Sequence, residues 1–508
     1  MIGGDEMNFN LKQSLKTKKV KYGSYSVMFT VAFVAFVIIF NVIFSALASK
    51  YMWYIDMTDS EIYSLSDATY ELLKDVKDEI VITFCMEKDE LEADGSMHYI
   101  LNTARLLEKE FDNVTIDYRD VLTNNVYLEK YTTTSSPHVP TTSVIVESGT
   151  EFRLFSYTSF FITDTNDTDY VWAYKGEEQF VSAILQVTAD EMPIAYFSSG
   201  HGEALNSDED AVALIQLFYN AGYDVRSIDL SKEDIDPAAR VLVINDPKYD
   251  FGGYTEESVG DSEIEKIDKF LDGLGSLFVF VDPKSVGDLT NLNEFLYEWG
   301  IEFEAGTSLV DEEHAITVDG SALVGQYNTN EEELASSIYK QVTSMSNWPK
   351  VIFRNACPIN KVYTSKSFGV DNRTVSDVFM TADTAHKVSN SSVAAESGVY
   401  SLMTISQETR VRDNEYYTSY VLASGCTDFT ASPYLLSNVY ANSDVLYACM
   451  RAFGKERVPA DIDYKVFNDN KLDITTEQAN SWTRAFISVM PLVTVAACVV
   501  VTVRRKYK

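Results

Sequence analysis

The sequence predicts an α/β protein: two extracytoplasmic α/β domains, the second doubly wound, held between two terminal transmembrane helices. Three observations predict this. Two uncharged apolar runs lie near the ends, at 26–48 and 485–503, each close to the ~20 residues a helix needs to cross a bilayer. Between them, short and nearly continuous apolar runs alternate with amphipathic stretches of helical spacing, the pattern of parallel strands covered on both faces. Aromatic residues make up 13% of the chain, with 31 Tyr, which is too many for a disordered acidic tail despite a formal charge of -35.

The ends set the expected topology. Lys12, Lys16, Lys18, Lys19 and Lys21 precede the first apolar run, and Arg504, Arg505, Lys506 and Lys508 follow the second. By the positive-inside rule the basic tails 1–25 and 504–508 are cytoplasmic, the central region lies outside, and the chain sits in the cell membrane. The first run is longer than a signal h-region, and Ser45-Ala46-Leu47-Ala48-Ser49 is only a weak cleavage signal. An uncleaved anchor is therefore expected.

The first α/β domain is expected over 56–165. Ser66 is placed to cap a helix carrying Leu72, Leu73 and Val76 at helical spacing. A strand at 80–85, a helix at 102–111 and a strand at 114–118 follow. The stretches 142–146 and 151–157 alternate as a hairpin around Ser148-Gly149. Size and order are thioredoxin-like, but no C-x-x-C is present, so redox chemistry is not expected.

A polar loop at 163–169 leads into the second domain, 170–470, which opens with a helix at 176–188. Strands follow at 194–197, 241–244, 277–281, 350–354 and 417–423, with helices at 208–220, stopped by Gly222, and at 262–271. The Ser/Thr/Asn-rich stretch 306–347 reads as an insertion.

Charge and cysteine content exclude several functions. Residues 50–484 carry 32 basic against 74 acidic side chains, a net of -42, which argues against nucleic acid or an anionic surface as ligand. Cys85, Cys357, Cys426, Cys449 and Cys498 are too scattered for a disulfide framework or a zinc site, although one bridge stays open. The chain has no G-x-x-x-x-G-K-[ST], H-E-x-x-H, G-x-S-x-G or G-x-G-x-x-G. No ATP binding through a P-loop and no cofactor are expected.

Ligands of open parallel sheets bind beyond the carboxyl ends of the strands. Here those ends are Ser198-Ser199-Gly200-His201-Gly202-Glu203, Asn245-Asp246-Pro247, Asp282-Pro283-Lys284 and Ser424-Gly425-Cys426-Thr427-Asp428. If the strands are neighbours, Ser199, Gly200, His201, Gly202, Glu203, Asp246, Asp282 and Asp428 line one crevice. Three readings stay open: a metal or hydrolase site, sharpened by Cys426 as a nucleophile with His201; a docking crevice without chemistry; and turns and caps with no ligand.

Several stretches resemble the GldG-like family. Leu65-Ser66-Asp67-Ala68-Thr69 is similar to the "TLS-x-x-T" that opens its outer region, and Glu177-Glu178-Gln179 with Ala183-Ile184-Leu185 to its "GEQ…AI" helix. Ser199-Gly200-His201-Gly202-Glu203 matches its "GHGE", and Thr475-Thr476-Glu477-Gln478, Pro491 and Arg504-Arg505 also fit. The resemblance spans the chain outside 306–347. It implies a non-enzymatic auxiliary component of an ABC transport system of the gliding-motility-associated type, with a separate permease and a separate cytoplasmic ATPase as partners. It also implies a second domain of flavodoxin, amidotransferase or intraflagellar-transport type that lacks the amidotransferase nucleophile elbow. The basic tail with Lys21-Tyr22-Gly23-Ser24 looks like that of members from Gram-positive anaerobes. No catalytic residues transfer. A tethered sensor or adhesin is a third functional reading, beside the accessory subunit and the wall-space hydrolase.

Overall fold

The computed structural model describes residues 18–50, 61–121, 128–131, 139–163, 171–189, 191–205, 208–254, 261–330, 334–342, 350–362, 372–389, 397–412, 415–437, 439–454, 460, 462–467 and 504. The chain splits into two compact units, Met1–Glu61 and Ile62–Lys508.

Among the described residues, the first unit is the helix Lys18–Lys50. Its side chains are described from Met28 to Phe44 and are exposed throughout, with Phe36, Phe40 and Phe44 stacked at 6.1 and 5.9 Å. Among the described residues no helix is long and apolar enough to cross a membrane. The transmembrane helix expected at 26–48 from hydropathy is corrected accordingly. The run at 485–503 with Pro491, and Thr475-Thr476-Glu477-Gln478, lie outside the described residues.

The second unit is mixed α/β. Its smaller sheet runs Val114–Tyr118, Ile80–Phe84, Ser143–Ser148, Glu151–Ser156; the first pair is parallel and the others antiparallel. Ile80, Ile82 and Phe84 alternate inward and meet Val144 and Val146 in one core. The helix Met97–Glu110 covers it with Met97, Ile100, Leu101 and Ala104, the i, i+3, i+4, i+7 stripe that buries one helical face. This helix starts earlier than the 102 expected from sequence because Asp94 Oδ1 accepts from the amides of Ser96 and Met97, at 2.8 Å each. Ser66 stands at the N-cap of Asp67–Leu73 but makes no capping bond; its side chain is used elsewhere.

Two later segments complete this core. The helix Gly176–Val187 is buried along nearly its whole length and contributes Phe180, Val181, Ala183 and Ile184. Ala460 and Ile462 join the same core, and Lys465–Val466 pairs antiparallel with Val171–Tyr174, which in turn pairs with Phe161–Thr163. The stretch at the end of the expected second domain therefore packs with the small sheet.

The larger sheet runs Ile301–Phe303, Ile359–Lys361, Ser401–Arg412, Glu415–Ser424, Ser276–Phe280, Ala239–Asn245, Ile194–Ser198, Asp224–Ile228, with Arg373–Met380 also paired to Ser401–Arg412. From Glu415–Ser424 to Asp224–Ile228, neighbours are parallel. Alternate residues enter two cores. Val241, Val243, Phe278, Phe280 and Leu422 pack with the helices Glu209–Asn220 and Asn442–Gly454 on one face. Leu242, Ile244, Leu277, Val279 and Val421 pack with Glu263–Asp272 and Thr290–Glu298 on the other. Burial on both faces is why these strands read as unbroken apolar runs.

Two expectations change. Ile352–Arg354 lies outside this sheet, paired with Ala322–Val324. The stretch 306–347 is no peripheral insertion, since Leu309, Leu323, Ile338 and Val342 belong to the core of one sheet face.

Candidate functional site

The register of the parallel strands decides which loops meet. Phe280 lies abreast of both Asn245 and Ser424, and Phe197 abreast of Val243. The carboxyl ends therefore share one edge, and the residues that follow them divide into a buried knot and an exposed row.

The knot centres on His201, which is 6% exposed. Its backbone amide donates to Glu203 Oε2 at 2.7 Å, and Ser198 Oγ donates to Glu203 Oε1 at 2.8 Å. Its carbonyl accepts from the amides of Lys248 and Tyr249 at 2.7 and 2.9 Å. The ring stacks on Phe251 at 3.9 Å. Nε2 faces Glu263, 3.1 Å from Oε1 and 3.2 Å from Oε2, so the ring proton belongs on Nε2. Nδ1 stands 3.7 Å from Glu203 Oε1. Burial works against the imidazolium, but Glu203 and Glu263 outweigh it and raise the His201 pKa above its ordinary value. Burial likewise opposes the Glu203 carboxylate, and bonds from His201 and Ser198 outweigh it and lower that pKa.

Glu263 reaches this knot because it opens the helix Glu263–Asp272, fixed by a capping box between Ser262 and Glu265. Its Oε2 also accepts from the Gly252 amide at 2.6 Å. Sequence reading missed Glu263; the Ser-x-x-Glu box marks the helix start, but nothing local pairs Glu263 with a residue 62 positions away.

Gly202 has φ +93, and a Cβ there would lie 2.8 Å from Lys248 Cβ. A Gly202→Ala chain is expected to lose roughly 1–3 kcal/mol through this strain and contact, read as a lower urea midpoint.

The exposed row is Asp246, Asp282 and Asp428, each partly exposed. Asp246 ends its strand at φ 57, with its amide donating to the Phe280 carbonyl at 2.9 Å. Lys248 Nζ lies 2.5 Å from Asp246 Oδ1 and 3.9 Å from Asp282 Oδ2. Asp428 Oδ2 accepts from Asn355 Nδ2 at 2.8 Å. Burial raises the Asp246 pKa, with Asp282 and Asp208 adding to it against Lys248. Burial raises that of Asp428 too, with Asp282 and Asp210 adding against Asn355 and Arg354. Asp282 thus bears on both Asp246 and Asp428.

The sequence-predicted residues therefore separate. Ser199 is tied to the next strand through its amide and hydroxyl, both donating to the Ile228 carbonyl. Gly200 turns at φ +104 beside the Asp229 carboxyl. His201, Gly202 and Glu203 form the knot, while Asp246, Asp282 and Asp428 form the row. Cys426 is buried, its thiol donating to the Arg354 carbonyl at 3.0 Å rather than to His201, and burial pushes its pKa up. Cys85, Cys357, Cys426 and Cys449 are buried free thiols; Cys498 lies outside the described residues. Among the described residues no group of three or more His, Cys, Asp or Glu is placed to hold a metal ion.

A second constellation was hidden in two motifs. Glu177, 2% exposed, accepts at Oε1 from the Ser66 amide at 2.6 Å, Ser66 Oγ at 2.7 Å and Thr69 Oγ1 at 2.5 Å. Its Oε2 lies 2.7 Å from Lys465 Nζ. Burial opposes this carboxylate, but Lys465, Thr69 and Ser66 together lower its pKa.

No family model matches the chain, and no curated protein does. ABC transport, expected from the motifs, therefore gains no family support. Among solved structures, the mmIFT52 N-terminal domain matches with 13% identity and a TM-score of 0.34, over 51% of this chain and 96% of that one.

Proposed function

We propose that the chain is a non-catalytic accessory subunit that engages a partner at the carboxyl edge of its larger sheet. The carrying observation is the division of that edge. The groups a hydrolase would use, His201 and Cys426, are buried and bonded to their own fold, while the carboxylates of Asp246, Asp282 and Asp428 are partly exposed, with Lys248 beside two of them. A row of like charges of this kind favours a cationic partner surface and steers its approach.

For the setting of such a subunit, support comes from the motifs shared with GldG-like proteins. Ser66 and Thr69 of the first motif bond directly to Glu177 of the second, so the two lie in one contact and not merely in one sequence. A permease and a separate ATPase are the partners this proposes, and a larger domain of flavodoxin or amidotransferase type is the fold. Purification of the tagged chain from its own cells, followed by mass spectrometry, tests it. A permease and an ATPase in stoichiometric amounts support the reading; a partnerless chain across several extraction conditions refutes it.

A further inference from the structure

Two segments far apart in sequence are seated on the same two residues of the small sheet unit. One is the entry segment, 62–69; the other is the return segment, 460–467. The first shared residue is Glu177, which takes Ser66 and Thr69 on one oxygen and Lys465 on the other. Lys465 Nζ also donates to the Ser64 carbonyl at 2.5 Å, so the ammonium touches the entry segment directly. The second is Tyr99, on the helix Met97–Glu110, whose ring stacks with Tyr63 of the entry segment at 6.0 Å and meets Phe467 of the return segment at 5.0 Å. Around these contacts the return segment is stitched in by the Ala460 amide donating to Ser182 Oγ at 2.9 Å and the Phe467 amide donating to the Trp172 carbonyl at 2.9 Å.

A charge pair this buried is a poor way to gain stability, because desolvation offsets most of the attraction. It is a good way to make two segments interdependent: removing one partner leaves the other charge buried and unpaired. We propose that residues 460–467 are a latch, locked by Lys465 on Glu177, that makes the entry and return segments of the Ile62–Lys508 unit open and close together.

Hydrogen exchange on the full chain, followed by mass spectrometry, tests the coupling. Lys465→Met removes the ammonium while keeping most of its apolar length. The latch predicts at least tenfold faster exchange in 62–70 as well as in 460–467, with the sheet of Ile194–Ser198 and its neighbours unchanged. Glu177→Gln predicts the same paired loosening. The double variant, with no buried charge left, predicts recovery of most of the protection in both segments. Faster exchange confined to 460–467, or independent effects that add in the double variant, would overturn the proposal. If Lys465→Met does not fold, Phe467→Leu, which weakens the return segment at Tyr99, carries the same readout at 62–70.

Discussion

A Phe278→Ala chain loses about 3–5 kcal/mol of stability, the largest effect expected of a single truncation in the larger sheet. Phe278 is fully buried in the central strand Ser276–Phe280. It lies abreast of Val243 on one side and Leu422 on the other. Its ring meets Phe218 edge-on at 5.7 Å and Phe453 at 5.5 Å, so one truncation strips contacts from the helices Glu209–Asn220 and Asn442–Gly454 together. Neither helix can close the gap without leaving its own strand, which is why a cavity cost adds to the transfer cost. Urea unfolding followed by fluorescence measures the loss. A cost under about 1 kcal/mol would mean that this face relaxes freely and is not the close-packed layer described.

The second large effect is at His201. His201→Ala removes the Phe251 stack and the pairing with Glu263 and Glu203. The expected cost is about 2–3 kcal/mol, below the 3–5 of a wholly orphaned buried charge. Neither carboxylate is abandoned: Glu263 keeps the Gly252 amide, and Glu203 keeps Ser198 and a backbone amide. The effect has a defined pH dependence. The His201 pKa is raised in the folded chain above its ordinary 6.5. Its contribution is therefore fully present below about pH 6.5 and is lost as pH rises through the raised value. The gap in stability between the parent chain and His201→Ala should narrow from pH 6 to pH 9. A gap that widens with pH would show the imidazole to be held neutral and the assignment of its partners to be wrong. Partner binding by the folded variant should persist, because the knot lies beneath the edge rather than on it.

What could be read from sequence follows from how each element buries its residues. The strands Ala239–Asn245 and Ser276–Phe280 are apolar on both faces and stand out at once. Asp224–Ile228, with Arg226 and Ser227 exposed at the sheet border, carries no such signal and was missed. Ser401–Arg412 was missed for a related reason: its Thr404 and Ser406 are buried, so polarity concealed a central antiparallel strand. The convergence of strand ends was legible because parallel topology dictates it. The separation of His201 from the aspartates was not, since it depends on Glu263 arriving from another helix. Ser66 shows the limit most clearly. Its place before a helix suggests a cap, yet its hydroxyl bonds Glu177, 111 residues away.

The aspartate row, rather than the histidine knot, is the proposed working face. Co-purification of the full chain beside its Asp246→Asn/Asp282→Asn/Asp428→Asn variant, both shown folded by circular dichroism, tests it most directly. The parent chain should retain its partners and the triple variant should lose them at least tenfold, with the parent complex also weakening as salt rises. Equal recovery of partners by both chains would contradict it and move the functional contact away from the carboxyl edge.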